Sequence, residues 1–253
     1  MPKLISIIIA TYNSEQTIAK CLDSIIAQKC DSVELIVVDG NSTDHTMEVL
    51  RTAEPDIDHL VSETDEGIYD AWNKGLSLAE GSWIMFVGSD DELRPDCIKK
   101  YRQHIEVDSD YDYISGRIML INKKGNELRE FGQSYDWDVF KRRMSLAHVS
   151  SLHNRRLYEN YGSYDISYKI CGDYELLLRP KENLKAKFVD HLFANMATGG
   201  ISFGSFDALR EARNAKLLHE VNKPSVIWFR YFLSVIKLVF NRTIRQKRFF
   251  GVF

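Results

Sequence analysis

From Leu4 to Ala10 the chain is an almost unbroken β-branched run, the pattern of a strand buried on both faces of a parallel sheet. Ser14 to Gln28 follows with helical spacing: Ile18, Leu22, Ile25 and Ile26 share one side, and Ser14 stands where a cap belongs. Val33 to Val38 repeats the buried-strand signature, and Ser42-Thr43-Asp44 opens a second helix carrying Met47, Val49 and Leu50. His59 to Ser62 predicts a third strand, Gly67 to Ala79 a helix and Trp83 to Val87 a fourth strand. Buried strands alternating with helices of this length predict an α/β chain with a mostly parallel, doubly wound sheet. Such sheets take ligands at the carboxyl ends of their strands.

After Pro95 the rhythm changes. Tyr111 to Asn122, a turn at Lys123-Lys124-Gly125-Asn126 and Glu127 to Phe131 predict a β-hairpin. Gly172 to Arg179 reads as a helix opened by an acidic residue, and Asp207 to Val221 as a charged amphipathic helix. Length allows one sizeable domain with a small appendage, and 44% hydrophobic with 27% charged residues excludes a disordered chain. The net charge of -3 hides an asymmetry: residues 221–253 hold seven basic residues and no acidic one, so the preceding part is distinctly acidic. Cys21, Cys30, Cys97 and Cys171 lack CxxC spacing, which argues against a zinc site and fits reduced thiols. Without a signal-peptide cleavage pattern or an apolar stretch of about 20 residues, the chain is expected to stay in the cytoplasm.

The predicted strand ends carry Thr11-Tyr12-Asn13, Asp39-Gly40-Asn41-Ser42, Glu63-Thr64-Asp65 and Gly88-Ser89-Asp90-Asp91, so carboxylates arrive repeatedly at one rim. Asp, Asn, Ser and Gly are also the usual turn and cap residues, the preferred reading for Ser42 and Asp44. Asp90-Asp91 is different. Two adjacent carboxylates after Ile84-Met85-Phe86-Val87 repel unless a cation or hydrogen-bond donors relieve them, and hard Mg²⁺ or Mn²⁺ bridges carboxylates to substrate phosphates.

Four blocks now line up. Ser6-Ile7-Ile8-Ile9-Ala10-Thr11-Tyr12-Asn13, Glu34 to Asp44, Asp65 to Gly75 and Gly88-Ser89-Asp90-Asp91, in this order, resemble a family 2 glycosyltransferase of the inverting GT-A fold. The resemblance implies a nucleotide-binding half, 1–95, and an acceptor half, 96–220, with a basic aromatic extension over 221–253. It implies that Thr11 and Tyr12 border the nucleotide base, that Asn13 belongs to the donor-binding set, that Asp39 contacts the uracil of a UDP-sugar, and that Asp65 and Asn73 line the donor pocket. Asp90 then approaches the ribose or sugar and Asp91 ligates Mn²⁺ or Mg²⁺ at the diphosphate. Ser89-Asp90-Asp91 stands where the motif is usually Asp-x-Asp, which bears on the number of protein ligands.

In the second half, Lys169-Ile170-Cys171-Gly172-Asp173 resembles the family's acidic-residue-then-helix block, which implies that Asp173 is the base taking the acceptor hydroxyl's proton, with Glu175 as fallback. An N-cap role is the structural alternative for Asp173. His148 stands where a family histidine borders the sugar or acceptor site, although a lone His is more often hydrogen-bonded structure. Arg155 and Arg156 suit phosphate or simple solvation. Gly199 and Gly200 match a Gly-Gly-aliphatic-Ser element able to close over donor phosphates, or form a plain turn.

From Ser225 to Asn241 aromatic and aliphatic residues interleave with Arg230 and Lys237, followed by Arg242, Arg245, Lys247 and Arg248. That composition predicts an interfacial helix on an anionic membrane at the cytoplasmic face, and the alternative is packing on the domain or a second subunit. Nucleic acid is disfavoured, because no such motif accompanies the charges. The expected function is transfer from a UDP-sugar to a glycan or polyprenyl-diphosphate-linked acceptor in surface polysaccharide synthesis. Two alternatives stand beside it. One is a non-catalytic sugar-nucleotide-binding or scaffold module; the other, a nucleotide-dependent oxidoreductase, lacks GxGxxG after the first strand.

Overall fold

The structure is a computed structural model that describes residues 2–107, 110–122, 124–198 and 205–250, the side chains of 242–250 aside. In chain order it runs β1 (Ile5–Thr11), α1 (Ile18–Ile26), β2 (Val33–Asp39), α2 (Thr46–Ala53), β3 (His59–Ser62), α3 (Ile68–Leu78), β4 (Trp83–Gly88), β5 (Glu92–Leu93) and α4 (Cys97–Val107). It continues with β6 (Tyr113–Ile121), β7 (Glu127–Phe131), α5 (Trp137–Phe140), β8 (Leu152–Asn154), α6 (Arg156–Tyr161), α7 (Gly172–Leu178), β9 (Ala186–Ala197), α8 (Phe206–Leu218) and α9 (Pro224–Phe250).

One sheet carries the strands in the order β3-β2-β1-β4-β8-β6-β9-β5, with β7 on β6. The β-branched run makes β1 fully buried, because it pairs in parallel with β2 on one side and β4 on the other. Its side chains then alternate between two cores. Ile5, Ile7 and Ile9 pack with α1 and α4, whereas Ile8 and Ala10 face Tyr69 and Trp72 of α3. Parallel register sets Thr11 beside Asp39, and β3 ends its pairing at Asp39 opposite Ser62, so the carboxyl ends of β1, β2, β3 and β4 share one edge.

Two helix starts move from their expected places. α1 begins after Thr17 and not at Ser14, whose hydroxyl donates to Tyr12 O and meets the Ser89 hydroxyl at 2.7 Å. α2 begins at Thr46, because Ser42 and Thr43 are engaged by Asp39 and Asn13 while Asp44 Oδ1 accepts from Thr46 N.

At the far end α9 packs on α8, where the Arg213 guanidinium lies 4.4 Å from the Trp228 ring centroid and 4.6 Å from that of Tyr231. Ile227 is buried, whereas Trp228, Phe229, Phe232, Leu233, Ile236, Val239 and Phe240 are exposed. At about 100° per residue these exposed residues fall within an arc of roughly 140°. Among the described residues no helix is long and apolar enough to cross a membrane. Arg242, Arg245, Lys247 and Arg248 have side chains outside the described set, as do Gly199 and Gly200 entirely.

Candidate active site

The edge where the parallel strands end is laced together by short polar side chains. Asn13, at φ 48°, donates its backbone N–H to Ser42 Oγ at 2.8 Å, and its Oδ1 accepts from Thr43 N at 2.9 Å. Asp39 is fully buried; its Oδ2 accepts from Ser42 N at 3.0 Å and from the Ser62 hydroxyl at 2.7 Å, and its Oδ1 from the Ser42 hydroxyl. Gly40 permits the closest approach. A Cβ there would lie 2.5 Å from Asp65 Oδ2 and 3.4 Å from the Tyr12 ring, so Tyr12 and Asp65 meet over one glycine, the residue after Asp39. Asp65 is oriented by Gly67 N, which donates to its Oδ1 at 2.8 Å. Tyr12 remains 59% exposed, a ring face open to a flat partner, and the Thr11 hydroxyl is buried without a hydrogen-bond partner among the described residues.

On the other side of β1, Asp90 and Asp91 converge over Gly88: a Cβ there would lie 2.8 Å from Asp91 Oδ2 and 3.1 Å from Asp90 Oδ1. Asp91 is buried, accepting from Ala197 N at 3.0 Å and Gly88 N at 3.3 Å. Burial, with the Asp90 charge beside it, pushes its carboxyl well above the usual carboxylate range. Burial and the neighbouring charge disfavour the ionised form of this acid, and a divalent cation beside it would favour that form. The donor set therefore fits a hard cation with oxygen ligands, Asp91 supplying one and Asp90 lying adjacent. Among the described residues no group of three or more His, Cys, Asp or Glu side chains is gathered for a metal, so the remaining ligands would come from phosphate and water.

Asp173 is joined to this edge through α3. Tyr69 shares its one hydroxyl hydrogen between Ile170 O at 2.8 Å and Asp173 Oδ1 at 3.2 Å, and burial raises the phenol, keeping it a donor. The Tyr69 ring lies against the Cα of Gly172, where a Cβ would come within 2.8 Å of it. The N-cap of α7 is Cys171, which removes the capping alternative for Asp173. Asp173 Oδ1 also accepts from Tyr174 N at 2.8 Å, and its Oδ2 has no hydrogen bond among the described residues.

Other expected residues have different work. Asn73 spends both halves of its amide on Tyr164: Nδ2 donates to Tyr164 O at 2.8 Å and Oδ1 accepts from Tyr164 N at 2.9 Å. It pins a loop with one of its two amide N–H bonds and one of its two carbonyl lone pairs. Glu175 is buried and locked to Arg179 and His219, at 2.6 Å from each, so it is not available as a base. Arg155 is neither a phosphate ligand nor a solvated charge, since its guanidinium donates to Ala79 O and Gly81 O; Arg156 pairs with Asp112. His148 is buried, stacked 5.0 Å from Trp72 with Nε2 3.1 Å from the Tyr164 hydroxyl; burial lowers its pKa, and the Asp173 charge opposes that.

Residues the sequence did not single out complete the frame. Glu34 lies inside β2, where it accepts from the Ser6 hydroxyl and from Glu80 N and Gly81 N. An acidic residue inside a buried apolar run was a legible sign of such pairing. Tyr69, Tyr164 and Glu211 carried no such sign, because their partners lie far away in sequence.

The chain matches the family model described as glycosyl transferase family 2 over residues 6–171. It is 32% identical over 180 residues, 70% of this chain and 69% of the relative, to a PGL/p-HBAD biosynthesis glycosyltransferase of Mycobacterium bovis. It is 32% identical over 171 residues, 63% of this chain and 54% of the relative, to a GalNAc(5)-diNAcBac-PP-undecaprenol beta-1,3-glucosyltransferase of Campylobacter jejuni. In fold it is similar to S. aureus TarS 1-349 in complex with UDP-GlcNAc, with TM-score 0.70 at 18% identity over 88% of this chain and 69% of that one. That is the GT-A arrangement, and the chain belongs to glycosyl transferase family 2.

Proposed function

We propose that this enzyme is an inverting transferase that moves a sugar from a UDP-sugar to a hydroxyl of a lipid-linked glycan, serving surface polysaccharide synthesis. The observation that carries the reading is the convergence of Tyr12 and Asp65 over Gly40, beside Asp39, and of Asp90 and Asp91 over Gly88, on either side of Thr11. Tyr12 offers a ring face to the base and Asp65 accepts from the ribose, while the buried Asp39 accepts from the base's polar edge once the Ser42 and Ser62 hydroxyls turn away from it. Asp91, with Asp90 adjacent, holds Mn²⁺ or Mg²⁺. When bound, such a cation neutralises the charge developing on the leaving diphosphate.

Asp173 accepts the acceptor's hydroxyl proton as that oxygen bonds to the anomeric carbon and the bond from that carbon to the diphosphate oxygen breaks, releasing UDP. Removing such a base costs about 10²–10⁴-fold in rate. Tyr69 orients its Oδ1 and leaves Oδ2 for the proton. His148, buried and stacked on Trp72, borders the acceptor's sugar.

The acceptor class draws support from the Campylobacter jejuni relative, named for an undecaprenol-diphosphate substrate. It draws more from α9, which carries the exposed apolar arc together with Arg230 and Lys237, a pairing suited to an anionic bilayer at the cytoplasmic face. Thermal unfolding with a panel of nucleotide sugars, with and without Mn²⁺, tests the donor and metal assignments together. UDP compounds should raise the midpoint in a Mn²⁺-dependent way that Asp91→Asn abolishes. A panel in which no uridine nucleotide shifts the midpoint would refute both.

A further inference from the structure

Just ahead of α7, three consecutive backbone N–H groups converge on one carboxylate from another helix. Glu211 of α8 accepts from Lys169 N at 3.0 Å through Oε1, and from Ile170 N at 2.9 Å and Cys171 N at 2.8 Å through Oε2. Cys171 Sγ reaches Ala208 O, nearly one turn earlier on α8, at 3.4 Å. The opposite side of the segment is held as well: Lys169 Nζ donates to Glu66 O at 2.6 Å, next to the Asp65 carboxylate and the Gly67 backbone that orients it. Asp173 begins two residues beyond Cys171. Its place is therefore set by where Glu211 holds those N–H groups, as its rotamer is set by Tyr69.

The acceptor chemistry is demanding. A carboxylate serves three donors with charge-assisted bonds, whereas an amide has one oxygen and would turn its NH₂ toward an N–H. Three backbone donors in series before a helix also concentrate positive potential that an anion relieves. Glu211 is half-buried on α8, the same helix that α9 grips through Arg213 between Trp228 and Tyr231.

We infer that Glu211 is a positioning residue for the transfer step: it touches neither substrate nor reacting atoms, and it holds Lys169 to Cys171 so that Asp173 meets the acceptor hydroxyl. The inference rests on the reading of Asp173 as the base. An ångström of misplacement at such a group costs on the order of 10²-fold in rate.

The test uses the full chain with Glu211→Gln, Glu211→Ala and Asp173→Asn, measuring kcat, donor KM, and the midpoint shift given by UDP with Mn²⁺. Glu211→Ala should lower kcat about 10- to 100-fold and Glu211→Gln less, with donor KM and the UDP-induced shift within about twofold of the unmodified enzyme. Rates are taken at a temperature where each variant is fully folded, which removes the effect of a merely structural role. Glu211 variants with kcat within about threefold of the unmodified enzyme, beside an inactive Asp173→Asn, would overturn the Glu211 inference alone. A donor KM that rises in step with the loss of kcat would do the same. Asp173→Asn transferring at the unmodified rate would overturn the base assignment itself.

Discussion

Asn73 separates a donor contact from a structural one. Its side chain forms a two-bond clasp on the Tyr164 backbone, at 2.8 Å and 2.9 Å, across 91 residues of sequence. Each such bond contributes about 1 kcal/mol net, and a peptide group left buried without a partner costs about 1–3 kcal/mol. Asn73→Ala should therefore destabilise by about 2–4 kcal/mol, which in a chain of this size lowers the melting midpoint by about 5–15 °C. Asn73→Asp keeps an acceptor for Tyr164 N but sets a second acceptor against Tyr164 O, so it should not rescue. The Tyr164 ring lies 5.4 Å from that of Tyr69, so the loosened loop should also lower kcat through Tyr69 and Asp173. The assay is thermal unfolding with and without UDP, alongside donor KM. An Asn73→Ala variant melting within about 1 °C of the unmodified chain while UDP affinity falls tenfold or more would refute the structural weight of the clasp and support the donor contact.

Gly172→Ala should cost about 1–3 kcal/mol and most of the transfer activity, since its Cβ would lie 2.8–2.9 Å from the buried Tyr69 ring; a midpoint and rate both unchanged would contradict that contact. Burial raises the Glu175 carboxyl, but hydrogen bonds from His219 and Arg179 outweigh it and hold it below its ordinary 4.5. Glu175 therefore contributes stability in full above about pH 4.5 and loses it as pH falls through the lower folded-state value. Glu175→Gln should lower the midpoint at pH 7 and flatten its decline as the pH falls below 4.5; an unchanged acid limb would refute the assignment. Replacing Phe229, Phe232 and Ile236 with serine should abolish sedimentation with anionic vesicles and leave the melting midpoint within about 1 °C. Undiminished vesicle binding would point to another surface.

The first half of the fold was readable because β1, β2 and β4 are buried on both faces, and continuous apolar runs leave few alternatives. His59–Ser62 matches the expected β3, and α3 differs from its expected span by one residue at each end. The second half was harder. β9 mixes buried Val189 and Phe193 with exposed Asp190, because it pairs with β6 on one side and only two residues of β5 on the other. Its sequence consequently lacks a clean period. α4 escaped notice for a similar reason: Cys97, Ile98, Tyr101 and Ile105 form a narrow stripe among charged residues.

At the site, Asp39, Asp65, Asp90 and Asp91 could be located from strand ends alone, since topology fixes which edge a strand end reaches. Asn73 could not be assigned, because what it does depends on Tyr164, and nothing local records that pairing. Glu211 was invisible for the same reason, with backbone partners 40–42 residues away.

The central claim is proton transfer by Asp173 in a UDP-sugar-dependent reaction. The most direct measurement is UDP release by the full chain and by Asp173→Asn, with UDP-sugars, Mn²⁺ and membrane lipids bearing polyprenyl-diphosphate-linked glycans. Release should depend on acceptor lipid and fall at least about 10²-fold in Asp173→Asn, while the Mn²⁺-dependent midpoint shift with UDP persists. Equal release by the two proteins, or release that ignores the acceptor, would contradict the account.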